Sequence, residues 1–233
     1  MLDTTLDHLF DKAVSHYGNR VAFKDKNRSI TYSELNDEVH RMAHVLKKQG
    51  VGHLDRVAVW LKNGIDFIVI DFALIKIGAT RVLLNTFLSN EEVLYRVNDS
   101  GAKLFIYEEE YKERVLSFKK RITEETVHLT NGGDSSTNLK ELLAKEAPHP
   151  VSSPAKKSDL TLIMYTGGTT GRSKGVKHTH KSVISIIYSE IVELEINRGE
   201  RMLHVAPLPH AAGFLTFPGL IRGGMQVIHE GFD

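Results

Sequence analysis

An α/β fold of doubly wound, mostly parallel sheets with flanking helices is predicted by three features of the sequence. Between residues 56 and 129, short apolar runs of strand character alternate with stretches whose apolar residues recur at helical spacing, the rhythm of consecutive βαβ units. A further strand-like run at 162–165 passes directly into a glycine-rich loop, and in open α/β sheets ligands sit beyond the carboxyl ends of strands. A chain of 233 residues can also bury roughly 70 to 75 per cent of its unfolded surface, enough for a large core.

Leu6, Leu9, Phe10, Ala13, Val14 and Tyr17 share one helical face, and Gly18 closes the pattern, so an amphipathic helix opens the chain. Runs at 21–23 and 30–32 around Lys26-Asn27-Arg28 predict a hairpin. Thr31-Tyr32-Ser33-Glu34 has capping-box spacing; the helix it starts carries Leu35, Val39, Met42 and Leu46 on one side and stops at Gly50. A strand at 56–61, a helix at 65–77 ended by Gly78 and a strand at 81–84 resemble a βαβ unit. The alternation continues through a helix at 90–97, a strand at 103–107, a charged helix at 108–120 and a strand at 126–129. Glu108, Glu109 and Glu110 read as the solvated start of that charged helix, where negative charge suits the dipole. A loop at 131–137 and a short helix at 138–145 follow.

Pro148, Pro150 and Pro154 among serines and lysines mark 148–158 as a surface connector between a first α/β subdomain at 1–147 and the start of a second at 159–233. Thr179 is placed to cap a helix running to 194, with Val183, Ile187, Ile191 and Leu194 on one side. Residues 202–206 are strand-like, 207–214 form a rigid turn, and 225–228 make a last strand, expected as an exposed edge open to self-association. There is no fixed-period repeat.

Lys plus Arg number 30 and Asp plus Glu 29, a balance that argues against a dedicated nucleic-acid or anionic-membrane surface. The absence of cysteine excludes disulfides and thiolate metal sites. The first residues lack the basic and apolar regions of a signal peptide, and the longest apolar stretch, 67–79, is interrupted by Asp71 and Lys76 and too short to span a bilayer. A cytoplasmic protein is expected. His178, His180, His204 and His210 do not make a metal site in this reading, because no carboxylate joins them at ligand spacing.

The chemistry concentrates in residues 165–176. Glycines at 167, 168, 171 and 175 free the backbone to take positive φ and bring its N–H groups close to an anion. Thr169 and Thr170 add short hydroxyl donors, Lys174 a mobile charge and Arg172 a planar fork. A plain turn needs the glycines but neither the paired threonines nor the cations. A Walker A loop is excluded by spacing, since Arg172 or Ser173 falls where its second glycine belongs, and the G-x-G-x-x-G pattern fails too.

Tyr165 to Val176 resembles the signature loop of the adenylate-forming superfamily of acyl-CoA synthetases, nonribosomal-peptide adenylation domains and luciferases, whose usual form is Tyr-Thr-Ser-Gly-Thr-Thr-Gly-Lys-Pro-Lys-Gly-Val. Thr166, Gly168, Thr169, Thr170, Gly171, Lys174 and Gly175 match by position, while Gly167, Arg172 and Ser173 replace serine, lysine and proline. The likeness extends to Thr31-Tyr32-Ser33-Glu34-Leu35, Asp55-Arg56-Val57-Ala58, residues 73–79 and Asn85. It implies an incomplete copy of the large N-terminal domain of these enzymes. It implies ATP, Mg2+ and coenzyme A as partners of a carboxylic acid, with no nucleic acid, and a homodimer stays open.

Under this resemblance Thr166, Gly167, Gly168, Thr169, Thr170 and Gly171 cradle the phosphates, and Arg172 and Lys174 neutralise them. Pro207-Leu208-Pro209-His210 resembles the segment lining the passage between acyl pocket and ATP site, so His210 either gates or contacts the carboxylate, or is a satisfied histidine in a tight turn. Ala211, Ala212 and Gly213 either admit an acyl chain or allow close packing. The apolar follow-on favours a fatty acid, with aryl acids open. The alternatives are a non-catalytic nucleotide-binding or self-associating module and a phosphotransferase, which lacks a Walker lysine-serine pair or kinase loop here. The family's adenine loop, magnesium carboxylate, hinge and catalytic lysine fall beyond residue 233, so the chain reads as an N-terminal portion that does not form acyl-adenylate alone. Carboxylate-dependent AMP production by this polypeptide, followed by chromatography, is the observation that would overturn that expectation.

Overall fold

The computed structural model describes residues 4–123, 125–133, 136–166 and 172–231. The chain opens with helix α1 (Leu6–Tyr17), the hairpin β1 (Val21–Lys24) and β2 (Ser29–Thr31), and α2 (Tyr32–Lys48). The hairpin turns on Asp25, whose carboxylate accepts from the backbone N–H of Asn27 at 2.8 Å and Arg28 at 2.9 Å. Its other oxygen accepts from Ile65 N at 3.0 Å, at the start of a later helix. The predicted capping box of α2 forms between Thr31 and Glu34.

Three parallel strands follow, β3 (Arg56–Trp60), β4 (Thr80–Leu83) and β5 (Leu104–Glu108), linked by α3 (Ile65–Lys76) and α4 (Asn90–Ser100). Helix α5 (Lys112–Phe118), β6 (Val127–Asn131) and α6 (Leu139–Leu143) precede β7 (Leu160–Tyr165). Then come β8 (Gly175–Thr179), α7 (His180–Glu193), β9 (Arg201–His204), α8 (Thr216–Ile221) and β10 (Met225–Ile228). These strands make a four-stranded sheet in the order β2-β1-β10-β9 and a six-stranded sheet in the order β6-β5-β3-β4-β7-β8. Both are parallel except at β2 and β8, which run antiparallel to β1 and β7.

The architecture is the doubly wound, mostly parallel one the alternation predicts, with three corrections in detail. The last strand is not an edge: β10 lies between β1 and β9, because it pairs in parallel with a strand from the beginning of the chain. Glu108 is not a solvated helix start. It ends β5, and its carboxylate accepts from Lys62 N at 3.1 Å and Asn131 Nδ2 at 3.2 Å, while burial raises its pKa. The charged helix is therefore shorter than 108–120 and begins only after a single 3-10 turn at Glu109–Tyr111. Strand β8 is an addition to the predicted set. Strands from either side of residues 148–158 share both sheets, so the connector crosses the surface of elements already joined through β4–β7 and β1–β10 pairing.

Helix α3 buries eleven of its twelve residues. A helix apolar all round belongs inside a core rather than on its surface, and α3 meets α1, α2 and β4. Its one buried acid, Asp71, receives Arg81 of β4: Nη1 donates to both carboxylate oxygens at 3.0 and 2.8 Å, and Nε donates to Thr161 O of β7 at 3.0 Å. Burial still lifts Asp71 above the usual carboxylate range. A second core, built on Trp60, Phe105 and Tyr107, fills the other face of the six-stranded sheet beneath α4 and α5. No helix among the described residues is long and apolar enough to cross a membrane.

The start of the chain is tied to His180, the buried first residue of α7, whose Nδ1 accepts from Leu6 N at 3.2 Å. Burial, aided by the charge of Arg81, pushes its pKa down to about 4. A histidine with a folded pKa below its unfolded value contributes stability that is complete above the unfolded pKa and lost as pH falls through the folded one. Denaturant titrations between pH 6.5 and 4 are therefore expected to show a loss of about 3 kcal/mol attributable to this ring. His180→Gln, which keeps an acceptor but cannot ionise, should remove most of that slope.

Candidate active site

Strand β7 organises the site because its alternating side chains serve two compartments. Ile163 and Tyr165 enter the aromatic core under α4, while Leu162 and Met164 wall a cleft on the opposite face. At its carboxyl end β7 turns into the glycine-rich loop and returns as β8. Tyr165 pairs with Gly175, and Thr166 N donates to Lys174 O at 3.1 Å, closing the neck of a hairpin. Gly175 is required by close approach, since a Cβ there would stand 2.8 Å from Ile163 Cγ2. Gly167, Gly168, Thr169, Thr170 and Gly171 lie outside the described residues. The flanking Thr166, Arg172 and Lys174 are all exposed, and among the described residues no carboxylate pairs with either cation.

Sequence reasoning did not foresee β8 as a strand. Val176-Lys177-His178-Thr179 lacks the apolar/polar alternation that marks a strand, and Thr179 reads as the cap of the next helix. That cap is present: Thr179 Oγ1 accepts from Ser182 N at 3.2 Å, and Ser182 Oγ accepts from Thr179 N at 2.9 Å.

The cleft beside β7 is narrow, with a cavity volume of about 20 Å³, and mostly apolar, with Phe67 and Ile68 from α3, Val183 from α7, and Phe214 and Phe217 from the last helical turns. His210 stands exposed on its rim, and Asp71 and Arg81 reach its inner end. The structure thus brings His210 to the cleft that Met164 also lines, two residues before Thr166. Residues Ala211–Leu215 form a 3-10 turn. Gly213 is there for packing as well as space, because a Cβ at this position would overlap the backbone carbonyl of Leu208. The other histidines are dispersed: His180 holds Leu6, the buried His204 lies 2.9 Å from Gln226 Oε1, and the His178 ring meets Phe214 edge-on.

Asn63 is a residue the sequence did not single out. It sits just beyond β3, nearly buried, and ties three segments together. Its Nδ2 donates to Ala206 O at 2.9 Å and His229 O at 3.1 Å, and its Oδ1 accepts from Leu208 N at 2.9 Å. These bonds seat the Pro207–His210 turn against the ends of β3 and β10. A lone asparagine after a strand carries no sequence signal for such a role, since its partners are more than 140 residues away.

Comparison with known proteins bears on this geometry. The family model described as AMP-binding enzyme matches residues 10–233. The chain belongs to the AMP-binding enzyme family. Among curated relatives, feruloyl-CoA synthase of an Amycolatopsis species is 34% identical over 91% of this chain and 41% of its own length. The long-chain-fatty-acid–CoA ligase FadD13 of Mycobacterium tuberculosis is 34% identical over 80% of this chain and 37% of its own length. A solved long-chain-fatty-acid-CoA ligase from Archaeoglobus fulgidus superposes with a TM-score of 0.92 over 100% of this chain and 48% of that one, and its 21% identity makes this a likeness of fold. The chain thus spans about two fifths of the length of the curated relatives it matches.

Because Asn63 holds the turn that carries His210, Asn63→Leu should leave Leu208 N unpaired and the turn displaced. The expected loss is about 2 to 4 kcal/mol for the bonds removed, measured by urea unfolding. Gly213→Ala is expected to destabilise at least as much, and a neutral result at both positions would contradict the packing described.

Proposed function

We propose that this chain supplies the phosphate-binding hairpin and part of the acid-binding cleft of an AMP-forming carboxylic acid–CoA ligase. In the reaction, a carboxylate oxygen attacks the α-phosphorus of ATP, forming the acyl–phosphate bond as the bond to pyrophosphate breaks. The thiolate of coenzyme A then attacks the acyl carbon and AMP leaves. The observation that carries this reading is the arrangement around β7: an exposed hairpin neck bearing Arg172 and Lys174, neither in a salt bridge among the described residues, and on the strand's other face an apolar cleft with His210 at its rim.

The electrostatic demand of the first step is the repulsion between carboxylate and phosphates. Arg172 and Lys174, which form no salt bridge among the described residues, suit the charge that builds on departing pyrophosphate. Thr166, together with Gly167, Gly168, Thr169, Thr170 and Gly171, supplies backbone and hydroxyl donors in this proposal. Magnesium, carried by ATP, supplies further charge neutralisation, and the described residues offer no cluster of three or more metal-ligating side chains to hold it independently. His210 is assigned to the junction of acid and nucleotide.

The apolar walls support a fatty acid as the substrate class. The aryl alternative draws support from the three phenylalanines lining the cleft, and from similarity to a feruloyl-CoA synthase. Calorimetric titration tests the nucleotide assignment: the chain should bind ATP, and Lys174→Ala should weaken binding by roughly tenfold or more, the worth of one hydrogen bond to a charged group. Equal binding by the variant would remove Lys174 from the site. A thermal-shift panel of fatty acids and benzoates then reads the acid class, and stabilisation by benzoates alone would overturn the fatty-acid assignment.

A further inference from the structure

Helix α4 touches both ends of the glycine-rich hairpin, and nothing in its composition announces this. On the incoming flank, Tyr165 Oη donates to Asp99 Oδ2 at 2.6 Å, and the guanidinium of Arg96 lies over the Tyr165 ring at 5.3 Å. On the outgoing flank, Tyr95 Oη donates to the Ser173 carbonyl at 3.1 Å, and Arg172 lies over the Tyr95 ring at 5.5 Å. Tyr95 and Asp99 are four residues apart, hence neighbours on one face of the helix. The two tyrosine rings meet edge-on, with centroids 6.3 Å apart.

The helix is itself immobilised. Ser89 and Glu92 form a capping box at its start, and Val93, Leu94 and Val97 are buried in the aromatic core. At its end, Arg56 of β3 donates to the carbonyls of Ser100 at 3.0 Å and Gly101 at 2.9 Å. A short surface helix with no role beyond covering the sheet would need the apolar contacts but not this pair of polar grips.

We propose that α4 is a positioning clamp for the phosphate loop, with Tyr95 and Asp99 as positioning residues that set the separation of its two flanks and the direction of Arg172 and Lys174. Asp99 fixes the side chain immediately before Thr166, and Tyr95 fixes the carbonyl immediately before Lys174. One rigid element thereby holds both sides of the neck, as preorganised binding of a polyphosphate requires. The clamp stands on geometry alone, and its consequence for binding rests on the ATP assignment proposed above.

Tyr95→Phe removes the outgoing grip, together with a 3.4 Å contact to Asp99 Oδ1, while keeping the ring beneath Arg172, and Asp99→Ala removes the shorter of the two hydrogen bonds of Tyr165 Oη at an exposed position. Trypsin cuts after Arg172 and Lys174, and cleavage after Arg198, also exposed and on another part of the surface, serves as the internal reference. Each variant should raise cleavage at 172 and 174 relative to 198 by roughly two- to tenfold, the equivalent of one lost hydrogen bond, and weaken ATP binding by a similar factor. A merely structural role would raise cleavage at all three sites together and lower the thermal midpoint. An unchanged cleavage ratio in both variants overturns the clamp, and a raised ratio with unaltered ATP affinity overturns its positioning role. Failure of the wild-type chain to bind ATP would count against the ligase reading, while the cleavage ratio would still decide the clamp.

Discussion

The structure depends on the double use of strand β7. A strand presents successive side chains to opposite faces, so a six-residue strand cannot serve one compartment without constraining the other. Leu162 and Met164 close the apolar cleft, Ile163 and Tyr165 anchor the aromatic core, and the glycine-rich loop begins where the strand ends. A one-residue slip in its pairing with β4 would exchange the two sets and misplace cleft and loop together. The register is guarded chemically by Arg81, whose Nε takes the Thr161 carbonyl while the rest of its guanidinium is held by Asp71.

That ion pair shows how the cleft is tied to the body of the fold. Burying a carboxylate and a guanidinium costs desolvation that their mutual attraction only partly offsets, and the raised pKa of Asp71 reflects the unpaid remainder. In exchange, α3, β4 and β7 are held in one relation by directional bonds, where apolar packing alone would tolerate sliding. Asn63 does the corresponding job on the other side of the cleft, where three chain segments converge on one amide. The Asp71–Arg81 pair reaches the inner end of the cleft, and Asn63 holds the turn at its rim. Their effect is to fix where Met164 and His210 stand relative to each other.

The departures of this chain from the family's usual loop acquire a structural sense at one position. Arginine at 172, where the adenylate-forming signature usually has lysine, lies over the ring of Tyr95. A planar guanidinium stacks on an aromatic face in a way a compact, strongly hydrated ammonium does not. The charge is retained and gains a fixed direction. Gly175, by contrast, keeps the family residue for a steric reason, since β8 passes too close to Ile163 for any side chain.

The local elements were legible in the sequence because they depend on neighbours in the chain. Helical periodicity located α1, α2 and α3, the capping box at Thr31 forms as its spacing implies, and Thr179 caps α7 as expected. What tertiary structure alone decided was which distant residues meet. The sequence could not reveal that β10 would enter beside β1, that Glu108 would turn inward to Lys62 and Asn131, or that Asn63 would hold the His210 turn. Nor could it show Tyr95 and Asp99 reaching the two flanks of a loop some 70 residues away. Periodicity records which face of an element is apolar, whereas the partner of a buried polar group is chosen by the packing of the whole chain, and no local pattern encodes that choice.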